Sequence, residues 1–198
     1  RLEPTALLRS VLETVRKTMP ERTLWDEAEA AAAFVRARCA VQPRVGIVLG
    51  SGLSALAERM AEPTVIPYGE IPGLPVSAVT GHAGCLLLGR LARQDVLLMQ
   101  GRVHFYEGYT PQQITLPIRL MQRLGVQVLI ITNAAGGINK AFHAGDLMLI
   151  TDHINFLGLA GVHPLRGPND DRFGSRFPEM SRAYDPELLE LARTVARQ

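Results

Sequence analysis

Val45-Gly46-Ile47-Val48-Leu49-Gly50-Ser51-Gly52 is the stretch on which the fold class turns. Its first five residues are apolar without alternation, the pattern of a strand buried on both faces, and the run breaks into a Gly-rich turn. Leu53 to Met60 then reads as a helix. A strand, a Gly-rich turn and a helix in succession outline a phosphate-binding arrangement: glycines bring the backbone close to an anion, successive N–H groups line a concavity, and Ser51 adds a hydroxyl donor. By itself a Gly-Ser-Gly turn is more often only a turn.

Working outward, the apolar residues Leu7, Leu8, Val11, Leu12 and Val15 fall at helical spacing between Thr5 and Thr18, and Met19-Pro20 interrupts them. A second helix, Leu24 to Arg38, ends before Gln42-Pro43. Downstream, Glu62 to Gly84 is rich in Pro and Gly and reads as a long loop, with a short strand at Thr64 to Ile66. Cys85 to Leu91 and Asp95 to Gln100 form a hairpin around Ala92-Arg93-Gln94. Pro111 to Leu124 is a helix, Val126 to Ile131 a buried strand, and Asp146 to Thr151 a further strand. Gly158 to Pro178 is another long loop, and Pro186 to Gln198 begins a last helix. Strands alternating with helices predict an α/β fold with a mixed, largely parallel central sheet flanked by helices.

The 198 residues are 47% hydrophobic and 20% charged with a formal charge of +2, the balance of a folded globular chain. Arg is scattered rather than clustered, which argues against nucleic-acid binding. No apolar run reaches the roughly 20 residues that cross a bilayer. Cys39 and Cys85 lack metal-ligand spacing and read as reduced core thiols, so a cytoplasmic location is expected.

Three loops, each where a buried strand gives out, carry the polar residues, the position at which open α/β sheets bind ligands. Besides Gly50-Ser51-Gly52 there is Gln100-Gly101-Arg102-Val103-His104-Phe105-Tyr106-Glu107-Gly108-Tyr109. In extended chain Arg102, His104 and Tyr106 share one side, offering a guanidinium, an imidazole and a phenol. Arg with His suits phosphate, through charge-assisted hydrogen bonds. An exposed polar edge strand is the competing reading. Third, Asn133-Ala134-Ala135-Gly136-Gly137 leaves room for a ligand beside free backbone N–H groups, or else Asn133 caps a helix. His82 is a lone loop histidine, and His143, His153 and His163 show no metal-ligand spacing, so metal-free chemistry without a cofactor is expected.

Together these segments, with Gly81-His82-Ala83-Gly84, Gly145-Asp146, Asp152-His153-Ile154-Asn155 and Pro164-Leu165-Arg166-Gly167-Pro168-Asn169-Asp170, resemble the trimeric purine nucleoside phosphorylases from about Met19 onward. The resemblance implies the nucleoside phosphorylase fold, with residues 1–18 an N-terminal helical extension and residues 19–198 a phosphorylase domain whose C-terminal part is missing. It implies phosphorolysis of inosine, guanosine and their deoxy forms to free base and (deoxy)ribose 1-phosphate, in purine salvage, by a homotrimer. On the family's pattern Ser51, His82, Arg102, His104 and the Ala134 N–H hold phosphate, which is a co-substrate rather than a cofactor. Tyr106, Asn133, Ala134 and Phe177 meet the nucleoside, with Phe177 reaching a neighbouring subunit's site, and Glu107 orients His104. Ser54 and Cys85 stand where many relatives have Gly and Arg. A Glu and an Asn that read the purine, a Met under the ribose and a Ser completing the phosphate site lie, in the family, beyond Gln198. The alternatives are methylthioadenosine phosphorylase, which Asn133-Ala134-Ala135-Gly136-Gly137 disfavours, and a non-catalytic nucleoside- or phosphate-binding fragment.

Overall fold

The computed structural model describes residues 8–9, 22–77 and 84–198. The expected extension at residues 1–18 therefore lies outside the described residues apart from Leu8 and Arg9, which are helical. At the centre is β1 (Val45–Leu49), hydrogen-bonded in parallel to β4 (Gln94–Gln100) on one side and β5 (Val128–Ile131) on the other. Beyond β4 lie β3 (Cys85–Leu91) and β2 (Ala61–Pro67), both paired antiparallel, which gives the order β2-β3-β4-β1-β5. The sheet is mixed as expected but half rather than largely parallel, with two parallel and two antiparallel pairings; the parallel half carries the loops of interest. The β3–β4 hairpin turns on Ala92 and Arg93 alone, both at positive φ, so Gln94 belongs to the ladder opposite Leu91.

Side chains alternate across β1, and each set finds a different cover. Val48 joins Leu86, Leu88, Leu97 and Met99 beneath two helices, α1 (Leu24–Arg36) and α2 (Pro111–Arg123). Those helices contribute Ala28, Ala31, Ala32 and Val35 from one and Leu116, Leu120 and Met121 from the other. Ile47 and Leu49 face the opposite side with Leu87 and Leu98, covered by Ala57 and Met60. Both helices start on a threonine that accepts a backbone N–H, Thr23 from Asp26 and Thr110 from Gln113, and such a cap stabilises a helix by about 1 kcal/mol. Glu29 of α1 then bridges Arg36 at 2.8 Å and Arg123 of α2 at 2.7 Å, locking the pair.

Three expectations change, the first being the strand expected to be buried at Val126 to Ile131, which is Val128–Ile131 and largely exposed because it lies at a sheet edge. Leu53 to Met60 forms no α-helix but a 3₁₀ segment, Ser54–Arg59, whose preceding residue Leu53 has no side-chain oxygen to cap it. The anion-binding helix N-terminus expected there is thus absent, and only the turn remains. Asp146 to Thr151 is not a strand: it is irregular, with Leu147, Met148 and Leu149 93%, 60% and 43% exposed. An apolar run becomes a strand only against a ladder partner and a packed face.

After β5 the chain is mostly exposed loop, broken by the short turn α3 (Phe156–Leu159) and the helix α4 (Pro186–Ala196). The loop 169–174 is nevertheless fastened to the core. Trp25 lies 5.0 Å from the Phe173 ring, with the Arg123 guanidinium 4.1 Å and that of Arg172 4.7 Å from its own ring centre. Arg119 lies 4.3 Å over Phe173, and Arg172 is paired with Asp170 at 2.6 Å. Such cation–π contacts each contribute about 0.5–2 kcal/mol according to their exposure. No helix among the described residues is long and apolar enough to cross a membrane.

Candidate functional site

β1 and β5 run side by side in register, so the loops that leave them meet. Thr132 joins the two: its hydroxyl accepts the Gly50 N–H at 2.8 Å and donates to the Val48 carbonyl at 3.0 Å. Gly50 is so close to the second loop that a Cβ on it would lie 2.7 Å from Asn133 Cα. The Ser51 turn and the Asn133-Ala134 backbone are therefore brought into one place, with Ser51, Asn133 and Ala134 all solvent-exposed. No helix begins at Asn133, which removes the helix-cap reading; its side-chain amide donates instead to the Ala134 carbonyl at 3.4 Å.

The third loop enters from the neighbouring strand β4. Arg102 Nη1 donates to the Leu49 and Thr132 carbonyls, both at 3.4 Å, so its guanidinium spans the ends of β1 and β5. A guanidinium has five N–H donors, and these long contacts draw on Nη1 alone. The base of the loop is held by Tyr68, 2% exposed, whose phenol donates to the Gly101 carbonyl at 2.7 Å. Burial pushes that phenol well above the ordinary tyrosine pKa, so it stays a donor. Cys85 is similarly buried and its thiol is pushed up, consistent with a core residue.

The alternation rule accounts for Arg102 and His104, with Val103 between them buried at 6%. It does not account for Tyr106. From Phe105 the chain tightens into a 3₁₀ turn, Phe105–Glu107, and that turn folds the Tyr106 ring back onto His104. The rings are stacked, 5.0 Å between centroids and 15° apart, with Tyr106 itself 74% exposed. The same turn places Glu107 Oε1 2.7 Å from the His104 backbone N, which donates to it, and 3.2 Å from His104 Nδ1. Glu107 is the most enclosed of these groups, its side chain 7% exposed against 28% for His104.

Three contributors lie outside the residues to which the sequence assigns a role, although Thr132 opens the motif Thr132-Asn133-Ala134-Ala135-Gly136-Gly137. Thr132 closes the gap between two strand ends, Tyr68 anchors Gly101, and Ser77 donates to Glu107 Oε2 at 2.9 Å from 30 residues away. His82 lies outside the described residues. Phe177, 84% exposed, contacts its own loop: its N–H donates to Ser175 Oγ at 3.3 Å and the Arg176 guanidinium lies 5.7 Å from its ring. No group of three His, Cys, Asp or Glu side chains that could hold a metal ion occurs among the described residues.

Arg102, His104 and the small residues of two turns thus lie at the ends of three adjacent strands, where a guanidinium, an imidazole and solvent-exposed turns offer donors suited to an oxyanion. The sequence and fold have counterparts among known proteins. Residues 44–198 match the phosphorylase superfamily. The purine nucleoside phosphorylase 1 of Bacillus subtilis is 53% identical over 172 residues, covering 87% of this chain and 62% of that protein. Isoform 2 of the Schistosoma mansoni purine nucleoside phosphorylase, solved with cytosine and ribose-1-phosphate, superposes with a TM-score of 0.82 at 49% identity, over 87% of this chain and 60% of that one. The Schistosoma mansoni purine nucleoside phosphorylase solved with inosine gives 0.81 at 42% identity, over 87% and 60%. The chain spans about 60% of the length of these relatives. The chain belongs to the phosphorylase superfamily, and the relatives it resembles over most of its length are purine nucleoside phosphorylases.

Proposed function

We propose that the protein carries out phosphorolysis of purine nucleosides, inosine, guanosine and their deoxy forms, with inorganic phosphate as co-substrate. The observation that supports this most is the meeting of the Gly50 and Asn133 backbones under Arg102, beside His104 and Glu107. In this reading Ser51, His82, Arg102, His104 and the Ala134 N–H hold the phosphate, and Glu107 steadies His104. Tyr106 and Asn133 meet the nucleoside, and Phe177 reaches the sugar in a neighbouring copy of a homotrimer. Such a role for Phe177 fits its exposure in the single chain. Two free thiols fit a reducing cytoplasm, where the reaction would serve purine salvage.

The chemistry follows from the charges. The glycosidic C–N bond breaks with its electron pair leaving on the purine nitrogen, the sugar becomes cation-like, and a phosphate oxygen forms the new bond to the anomeric carbon. A phosphate fixed on the opposite sugar face stabilises that cation and is already placed to attack it, so catalysis is positioning and electrostatics.

The test is release of hypoxanthine from inosine by the purified protein, with adenosine in parallel and phosphate omitted as control. Turnover that requires phosphate supports the reading, and faster turnover of inosine than adenosine supports the stated substrates; turnover indifferent to phosphate rejects it. Arg102→Ala and His104→Ala should each raise the phosphate KM and lower kcat/KM by about 10–100-fold, the loss of one charge-assisted interaction of about 1.5–3 kcal/mol. Unchanged phosphate kinetics in both variants would remove them from the site.

A further inference from the structure

We infer that Ser77 is a positioning residue for His104, acting through the carboxylate of Glu107. The inference rests on the phosphate site proposed above. The His104 backbone N–H and Nδ1 both meet the same oxygen, Oε1, of Glu107, at 2.7 and 3.2 Å. The terminal torsion of a glutamate has a broad, shallow profile, so the plane of its carboxylate is set by what its oxygens meet. Ser77 Oγ donates to the other oxygen, Oε2, at 2.9 Å. With both oxygens engaged the carboxylate plane is set, and with it the direction of the Nδ1 contact that orients the imidazole.

The serine is itself held in place. One residue earlier, the Val76 carbonyl accepts the Tyr109 hydroxyl at 2.6 Å. Two hydrogen bonds, Ser77 to Glu107 and Tyr109 to Val76, thus stitch residues 76–77 to the short segment that bears His104. A hydrogen bond to a carboxylate that is only 7% exposed is of the stronger, charge-assisted kind.

Ser77→Ala is expected to raise the phosphate KM about tenfold, equivalent to about 1.4 kcal/mol. The inosine KM at saturating phosphate should stay near wild type. Ser77→Thr, which keeps the hydroxyl, should restore the phosphate KM. In a Glu107→Gln background Ser77→Ala should add little, because residues acting through one another are not additive. An unchanged phosphate KM in Ser77→Ala, or a full additional effect in the Glu107→Gln background, overturns the inference. So does a parallel rise of both KM values with a lowered Tm, or failure of Ser77→Ala to fold, since either makes Ser77 a structural residue. Wild-type protein without phosphate-dependent turnover rejects the functional reading itself, whereas active wild type with an indifferent Ser77→Ala rejects the inference alone.

Discussion

A Cβ on Gly50 would meet the Thr132 carbonyl oxygen and Asn133 Cα, each at 2.7 Å, and both are backbone atoms that cannot rotate away. Gly52, two residues on, has open space around it and a φ of +88°. The two glycines are therefore required for different reasons, one for a close approach and one for a conformation. Gly50→Ala should cost about 3 kcal/mol, the upper range for forced overpacking, and Gly52→Ala about 1 kcal/mol for the left-handed backbone alone. Urea unfolding of the two variants checks the order; equal midpoints would show that the strand ends can separate without penalty. At this scale the sequence was legible only over short distances. Arg102 and His104 were visible through alternation, and Ser51 through its flanking glycines. Tyr68 and Ser77 were not, because their partners lie 33 and 30 residues away and such a hydrogen bond leaves no periodic trace. Tyr106 was selected by the right segment for a reason that fails locally, since a 3₁₀ turn rather than an extended chain brings it to His104.

Among the elements, α1 and α2 owe their mutual fixation to Glu29, which takes hydrogen bonds from Arg36 and Arg123 and whose carboxyl is held below the ordinary range first by the Arg36 bond and then by that of Arg123. A carboxylate with a depressed folded pKa stabilises above its unfolded value, about 4.3, and that contribution is lost as pH falls through the lower folded value. Glu29→Gln should therefore destabilise at pH 7, by about 1 kcal/mol or less because the group is partly exposed and screened. It should also flatten the fall in stability below about pH 4.3. Denaturant midpoints at neutral and acid pH measure both, and parallel wild-type and variant curves would mean that the bridge is not formed in solution. The helices Leu24–Arg36 and Pro111–Arg123 and the hairpin strands were readable because their apolar spacing is intrinsic to the segment. The 146–151 run was not, because strand formation depends on a neighbour: its apolar residues lie exposed without a ladder.

At the scale of the molecule the burial is uneven. Among the described residues the last buried one is Met121, and the chain beyond β5 lies over the surface. Among the described residues β5 is an edge strand, with Leu129, Ile130 and Ile131 37%, 46% and 61% exposed. What ties the later residues to the core half is chiefly the stack of Phe173 and Arg172 on Trp25, joined by the Gln112 amide, which donates to the Arg166 carbonyl at 3.4 Å. Trp25 is the sole tryptophan of the chain, and it sits at that point of attachment. Its intrinsic fluorescence is consequently a single-site optical report on whether the loop 169–174 is docked, without background from any other indole. Segments with few buried contacts open at lower free energy than the core. The emission of Trp25 should therefore shift at lower urea than the far-ultraviolet circular dichroism, and Phe173→Ala should produce that shift without denaturant. Coincident transitions would instead mean that the surface loop and the sheet come apart as one cooperative unit, and that the light from one indole reads the stability of the whole fold.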